Sequence, residues 1–184
     1  SRWAKYMATD RFQEARNEFI ANSSSDPAED AVLPELAKIS LWQASAKLAD
    51  VYNKPGEFTT FIGYEWTAMV AGNNFHRVVL FADDSEVAGN LAPFSAMDSR
   101  DVEDLWTHME HYESVTGGRA MAIPHNSNLS NGRMFPDLGS EKMSEAYALQ
   151  SARWEPLFEV TQVKGDAETH PLLSPEDEFA DFET

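Results

Sequence analysis

The period of the apolar positions changes along the chain. Trp3, Tyr6, Met7, Phe12, Ala15, Phe19 and Ile20 recur at roughly helical spacing and predict a helix over residues 3–21. Asn22 to Pro27 reads as a loop. Pro34 opens a second helix, continued by Leu41, Trp42, Ala46, Leu48, Ala49 and Tyr52 as far as Asn53. After the breaker Pro55-Gly56 the pattern tightens. Phe58 to Trp66 is dense in aromatic and β-branched residues and predicts a strand. It is apolar on both faces near its end, as a strand inside a sheet should be, yet it carries Glu65 there. A polar loop follows to Phe75, and His76 opens a second apolar run, Val78 to Phe81. Paired as a hairpin, the two runs bring Glu65 and His76 to the same end of a sheet.

Further on, Asp83-Asp84-Ser85-Glu86 reads as an exposed acidic turn and Gly89 to Ser95 as loop. A third helix is expected from Val102 to Glu113, with Asp98, Ser99 and Asp101 as candidate caps. Leu105, Trp106, Met109 and Tyr112 form its apolar face, and Gly117-Gly118 ends it. Arg119 to Ile123 is a short buried strand, followed at once by Pro124-His125-Asn126 and a turn-rich loop from Ser127 to Gly139. Ser140 is the expected cap of a fourth helix over about 141–153. Leu157 to Val163 reads as a last strand, and residues 164–184 are polar and acidic. Strands alternating with helices predict an α/β fold of parallel βαβ units, layered or part of a barrel. The expected organisation is a single partial domain, a helical lead-in over 1–55 followed by hairpin, strands, helices and site loops over 56–184.

Composition narrows the function. The 184 residues suffice for one core, and 42% of them are hydrophobic. Fourteen basic residues against 31 acidic ones leave a net charge of −17, which argues against a general nucleic-acid or anionic-membrane surface. With no cysteine, disulfides and thiolate metal sites are excluded. No apolar run is long enough for a membrane span. No signal peptide is seen, and the compartment stays open between cytoplasm and periplasm or secretion.

Sites in α/β proteins gather where strands end. That rule selects Glu65, His125 and the segment after Val163. A Glu and a His meeting at a strand end suit a metal site or an acid/base pair, and equally two side chains bonded to nearby backbone. His125 directly follows a buried strand and Pro124, which fixes its direction. Asn126, Asn128, Asn131 and Gly132 make the next loop polar, able to orient ligand oxygens or to form Asx-turns alone. Glu159 lies within an apolar strand and needs a partner. Lys164 can neutralise a substrate phosphate or pair with Glu159. Asp166, Glu168 and His170 lie on a solvated loop. His108 and His111 read as a polar helix face. Arg77 and Arg153 are candidate anion binders, though lone arginines are more often structural. The acidic tail lacks calcium-loop spacing. Phosphate-loop, dinucleotide, nucleophile-elbow and His-Glu-x-x-His motifs are all absent. Five His and no Cys favour a His/carboxylate ion such as Zn²⁺, Mn²⁺ or Fe²⁺.

Several stretches occur together in a recognisable order: Phe58-Thr-Thr-Phe-Ile-Gly-Tyr-Glu-Trp-Thr67, Gly72-Asn-Asn-Phe-His-Arg77, Ile123-Pro-His-Asn126 with Asn128-Leu-Ser-Asn-Gly132, Ala152-Arg-Trp-Glu-Pro156, and Glu159 to Asp166 through His170-Pro171 to Glu183. From about Gly56 to Glu183 they resemble the bacterial proteins called domain of unknown function family 3604. That family looks like a branch of the polymerase-and-histidinol-phosphatase (PHP) metal-dependent hydrolases. The resemblance implies a distorted (β/α)7 barrel with two or three divalent ions at strand ends, and hydrolysis of a small-molecule substrate, most plausibly a phosphate ester. It implies that Glu65 bridges metals and that His76 and His125 are ligands. Asn126, Asn128, Lys164 and Arg77 would then position the substrate. Glu159, Lys164, Asp166 and His170 match the 3604-type pattern but carry no role over from the wider superfamily. Ser127 stands where Gly is expected and Val78 where a polar residue is. The His-x-His and Asp-x-His motifs of PHP enzymes are both missing. The expectation is therefore an internal fragment of a longer parent chain, carrying part of the metal cluster. A cation- or ligand-binding module without turnover, or a scaffold piece of a larger assembly, is the competing reading.

Overall fold

The structure is a computed structural model that describes residues 9, 11, 13–14, 35–125, 127–130, 132–136, 140, 142–162 and 165–166. The predicted helix over residues 3–21 lies almost wholly outside these residues. The fold is mixed α/β, with helices on small antiparallel sheets and no closed barrel among the described residues.

Helix α1 (Glu35–Tyr52) matches the second predicted helix. Its inward stripe is set by helical spacing: Trp42 and Ala46 are buried with Ala49 packed beside them, while Leu41, Leu48 and Tyr52 turn outward. Strand β1 (Ile62–Trp66) starts later than the apolar run suggested. Its partner β4 (Arg77–Phe81) leaves the sheet after Phe81, so Ile62↔Phe81 is the last pair and Phe58 and Phe61 stay exposed. Between them, β2 (Met69–Val70) and β3 (Asn73–Asn74) make a small hairpin. Its turn, Ala71-Gly72, has φ of 50° and 80°. Two positive φ values are what a tight two-residue hairpin turn requires.

Residues 83–86 are more than an acidic turn. Asp84 caps the one-turn helix α2 (Ser85–Ala88) by accepting from the N–H groups of Glu86 and Val87. Trp42 Nε1 donates to the Ala88 carbonyl at 2.8 Å and joins α1 to α2. Helix α3 (Val102–Thr116) buries the four residues expected of it, Leu105, Trp106, Met109 and Tyr112. Of the candidate caps, Asp101 does the work, and Gly117 ends the helix at φ 72°.

Strand β5 (Ala120–Pro124) follows and pairs with β4, giving the order β1-β4-β5. All pairings among the described residues are antiparallel, which corrects the expected parallel βαβ arrangement there. The reason lies in the connection. Residues 82–101 carry the chain back along the sheet, so α3, about 22 Å long, returns it to the end it had left. Asp83 marks that end: Oδ2 accepts from Tyr112 Oη at 2.9 Å and from the Arg119 N–H at 2.7 Å.

Helix α4 (Glu145–Trp154) is capped by Ser144 rather than Ser140, so it begins one turn later than predicted. Of the predicted strand 157–163, the described residues 157–162 make one backbone bond to the sheet, Glu159 N–H to the Pro124 carbonyl at 3.1 Å, and no strand pairing with β5 is seen among the described residues. In this region β6 (Thr161–Gln162) and β7 (Gly165–Asp166) pair with each other. The core lies on one face of the sheet. Ile62, Trp66, Val79, Phe81 and Ala122 pack there against Trp42, Leu105, Trp106, Met109, Tyr112, Tyr147 and Trp154.

Candidate metal centre

Register explains how residues far apart in the chain meet. Trp66, Arg77 and Pro124 share one rung, so the ends of β1 and β5 and the start of β4 coincide. His125 N–H donates to the His76 carbonyl at 3.2 Å, extending the ladder by one step. Glu65 stands opposite Val78, which stands opposite Ile123. His76 is two residues from Val78 and His125 two from Ile123. Strand alternation therefore sends Glu65, His76 and His125 to one face, the face without the helices.

The three side chains converge there. His125 Nε2 lies 2.8 Å and His76 Nδ1 3.1 Å from the same oxygen, Glu65 Oε1. The imidazole centroids are 5.7 Å apart with planes at 70°. His125 and His76 are 10% and 14% exposed, and Glu65 is 45% exposed, so the group opens to solvent through its carboxylate. The backbone before His76 is tied down, with His76 N–H bonded to Asn74 Oδ1 and Phe75 N–H to the Ala68 carbonyl. Burial pushes the Glu65 carboxyl up, but the His125 hydrogen bond and the charges of both histidines outweigh it and hold the group below its ordinary value.

One ligand atom from each residue lies within 4.8 Å of the others. The donor set is two imidazole nitrogens and one carboxylate oxygen. Bond lengths of about 2.0–2.2 Å to a common ion require only a small opening of the present contacts. His125 Nδ1 is buried without a hydrogen-bond partner among the described residues, so within that set the ring is oriented by its Nε2 contact with Glu65 alone. These residues fit a divalent ion.

Arg77 does not join the group. Alternation turns it to the helix-covered face, where it is fully buried in an ion pair with Glu155, Nε to Oε1 at 3.0 Å. That placement removes it from the substrate side. Glu155 had no role in the sequence reading. An acid preceding Pro156 at the end of an amphipathic helix was the available signal, but its partner is 78 positions away. Glu159 shares an open groove of about 530 Å³ with Phe61, Gly63, Val78, Leu80, Glu65 and His125. Asn126, Lys164 and His170 lie outside the described residues. Asn128 falls in a 3-10 turn, Ser127–Leu129, and Asp166 in β7, with both side chains outside the described set. His108 stacks on Phe94 at 5.1 Å, away from the three-residue group. Arg153 pairs with Glu113. No described helix is long and apolar enough to cross a membrane.

No curated protein and no solved structure matches the chain. A family model does, and it reaches through the N-terminal stretch that the sequence motifs left aside. Residues 2–184 match the family described as "Protein of unknown function (DUF3604)", and the chain belongs to that family.

Proposed function

We propose that the chain carries a divalent-metal centre of a hydrolase, with Glu65, His76 and His125 as ligands, and that its substrate is a small phosphate ester. The observation that carries this reading is the convergence of the three ligand atoms on one face at one end of the sheet. The N₂O donor set suits Zn²⁺, Mn²⁺ or Fe²⁺. Three protein ligands leave a position for water or substrate, as catalytic sites do and closed structural sites do not. A bound divalent ion supplies Lewis acidity and lowers the pKa of water toward neutrality. The chain's own groups do the rest. Glu65 stays ionised, and each histidine offers one nitrogen lone pair, Nδ1 of His76 and Nε2 of His125. Glu159 borders the same groove, and its carboxylate is the group we assign to accept a proton from water there. Asn126, Asn128 and Lys164 are the residues we assign to substrate oxygens, and Asp166 and His170 are further candidates for the same role.

The finer fold reading is a wall of a distorted PHP-like (β/α)7 barrel. It is supported by a sheet whose described helices all pack on one face, with Val78, Leu80, Met121 and Ile123 half-buried on the other. The second reading, cation binding without turnover, is favoured by the absence of His-x-His and Asp-x-His from these 184 residues. Two measurements separate them. Titration calorimetry with Zn²⁺ and Mn²⁺ is expected to show saturable binding that Glu65→Gln and His125→Ala weaken roughly 10- to 100-fold. A phosphatase and phosphodiesterase screen with and without Mn²⁺ then tests turnover. A parent protein that binds neither ion overturns the metal centre, and binding without hydrolysis of any ester leaves the second reading standing.

A further inference from the structure

We propose that Arg77 and Glu155 are positioning residues for the metal-binding group, setting the spacing of His76 and His125 from behind the sheet; the inference rests on the metal reading above. Both side chains are out of solvent, at 0% and 1% exposure. Arg77 Nη1 donates to the Phe75 carbonyl at 2.6 Å, while its own backbone is held in β4. Both neighbours of His76 are thereby anchored. Nη1 also meets Met134 Sδ at 3.1 Å, and Nη2 donates to the Met134 carbonyl at 3.2 Å. The guanidinium lies 5.9 Å from the Trp66 ring, directly behind Glu65 in the chain.

Glu155 Oε1 takes the Arg77 Nε–H and the Trp106 Nε1–H, the latter at 3.1 Å. Four residues later Glu159 N–H donates to the carbonyl of Pro124, the residue before His125. His125 N–H closes the circuit on the His76 carbonyl. One closed path of covalent chain and hydrogen bonds thus passes through both candidate histidine ligands. A buried ion pair is a poor device for stability alone, because desolvation cancels much of its attraction and apolar groups of equal volume hold a core as well. Glu155 Oε2 even lacks a hydrogen-bond partner among the described residues. What the planar guanidinium fork adds is direction.

The test must separate position from stability. Co²⁺ is titrated into the protein and followed by its visible absorption, with thermal unfolding by circular dichroism alongside. The double variant Arg77→Met/Glu155→Leu removes both charges and keeps an apolar core. It is expected to unfold cooperatively near the parent temperature, while its Co²⁺ affinity falls roughly 10- to 100-fold and its absorption band shifts. Trp106→Phe removes one donor to Glu155 and leaves a small cavity in the core, whose cost the parallel thermal unfolding reads, and is expected to weaken Co²⁺ by a smaller factor. Parent affinity and parent band in the folded double variant overturn the positioning role and leave the metal centre intact. If the double variant does not fold, Trp106→Phe decides, and unchanged affinity there overturns the role. A parent protein with no Co²⁺ band overturns the metal reading itself, and this inference with it.

Discussion

Glu65 is held as an anion by two histidines that share one of its oxygens. Its carboxyl sits below 4.5, the value it takes when unperturbed. The resulting stabilisation is present above that pH and is lost as pH falls through the lower folded value. With metal chelated, Glu65→Gln is therefore expected to lower stability at pH 7 and to approach the parent in strong acid. The side chain is nearly half exposed, so the pH 7 difference is at most about 1 kcal/mol. Urea unfolding at pH 7 and at pH 3 checks it, and a difference that grows in acid contradicts the assignment. Glu65, His76 and His125 were legible in the sequence because each sits at a strand boundary, where pattern and breaker residues are strongest. Glu155 was not, because an acid on an amphipathic helix looks the same whether it faces water or a buried arginine. Arg77 shows the limit differently. It was singled out as charged and adjacent to His76, but adjacency along a strand means opposite faces.

Elements are decided partly by neighbours that sequence pattern does not reveal. The third predicted helix came out with its buried face intact because four large apolar residues at helical spacing specify it without help. The run 157–163 has the composition of a strand, yet among the described residues its one backbone bond to the sheet is Glu159 N–H to the Pro124 carbonyl. The antiparallel return of β5 depends on Asp83, which links the end of β4 to the end of α3 and to the first residue before β5. Asp83→Ala leaves the Tyr112 hydroxyl and the Arg119 N–H without this acceptor. It is expected to cost about 1–3 kcal/mol in chemical denaturation with an unchanged denaturant slope. A loss within 0.3 kcal/mol, about the scatter of distant surface changes, would show that the link is dispensable.

At the scale of the molecule, charge is the dominant feature. A chain with a net charge of −17 repels itself in the folded state, and salt screens that repulsion within about 10 Å at 0.1 M. Stability is expected to rise when NaCl is raised from about 0.01 M to 0.15 M, seen as a higher midpoint of thermal unfolding. A falling midpoint would mean that surface pairs such as Arg153 with Glu113 outweigh the net repulsion. The sheet is the other feature of this scale: the described helices cover one face, and Glu65, His76 and His125 stand at the edge of the other. The second and third predicted helices, the β1–β4 hairpin and the choice of the three ligand candidates came from the sequence itself, because they rest on local periodicity and on which residues end a run. Strand direction, the face each charged side chain takes, and the Arg77–Glu155 pair were decided only by tertiary structure. They depend on how far a connection travels and on contacts between residues dozens of positions apart, which carry no local signature.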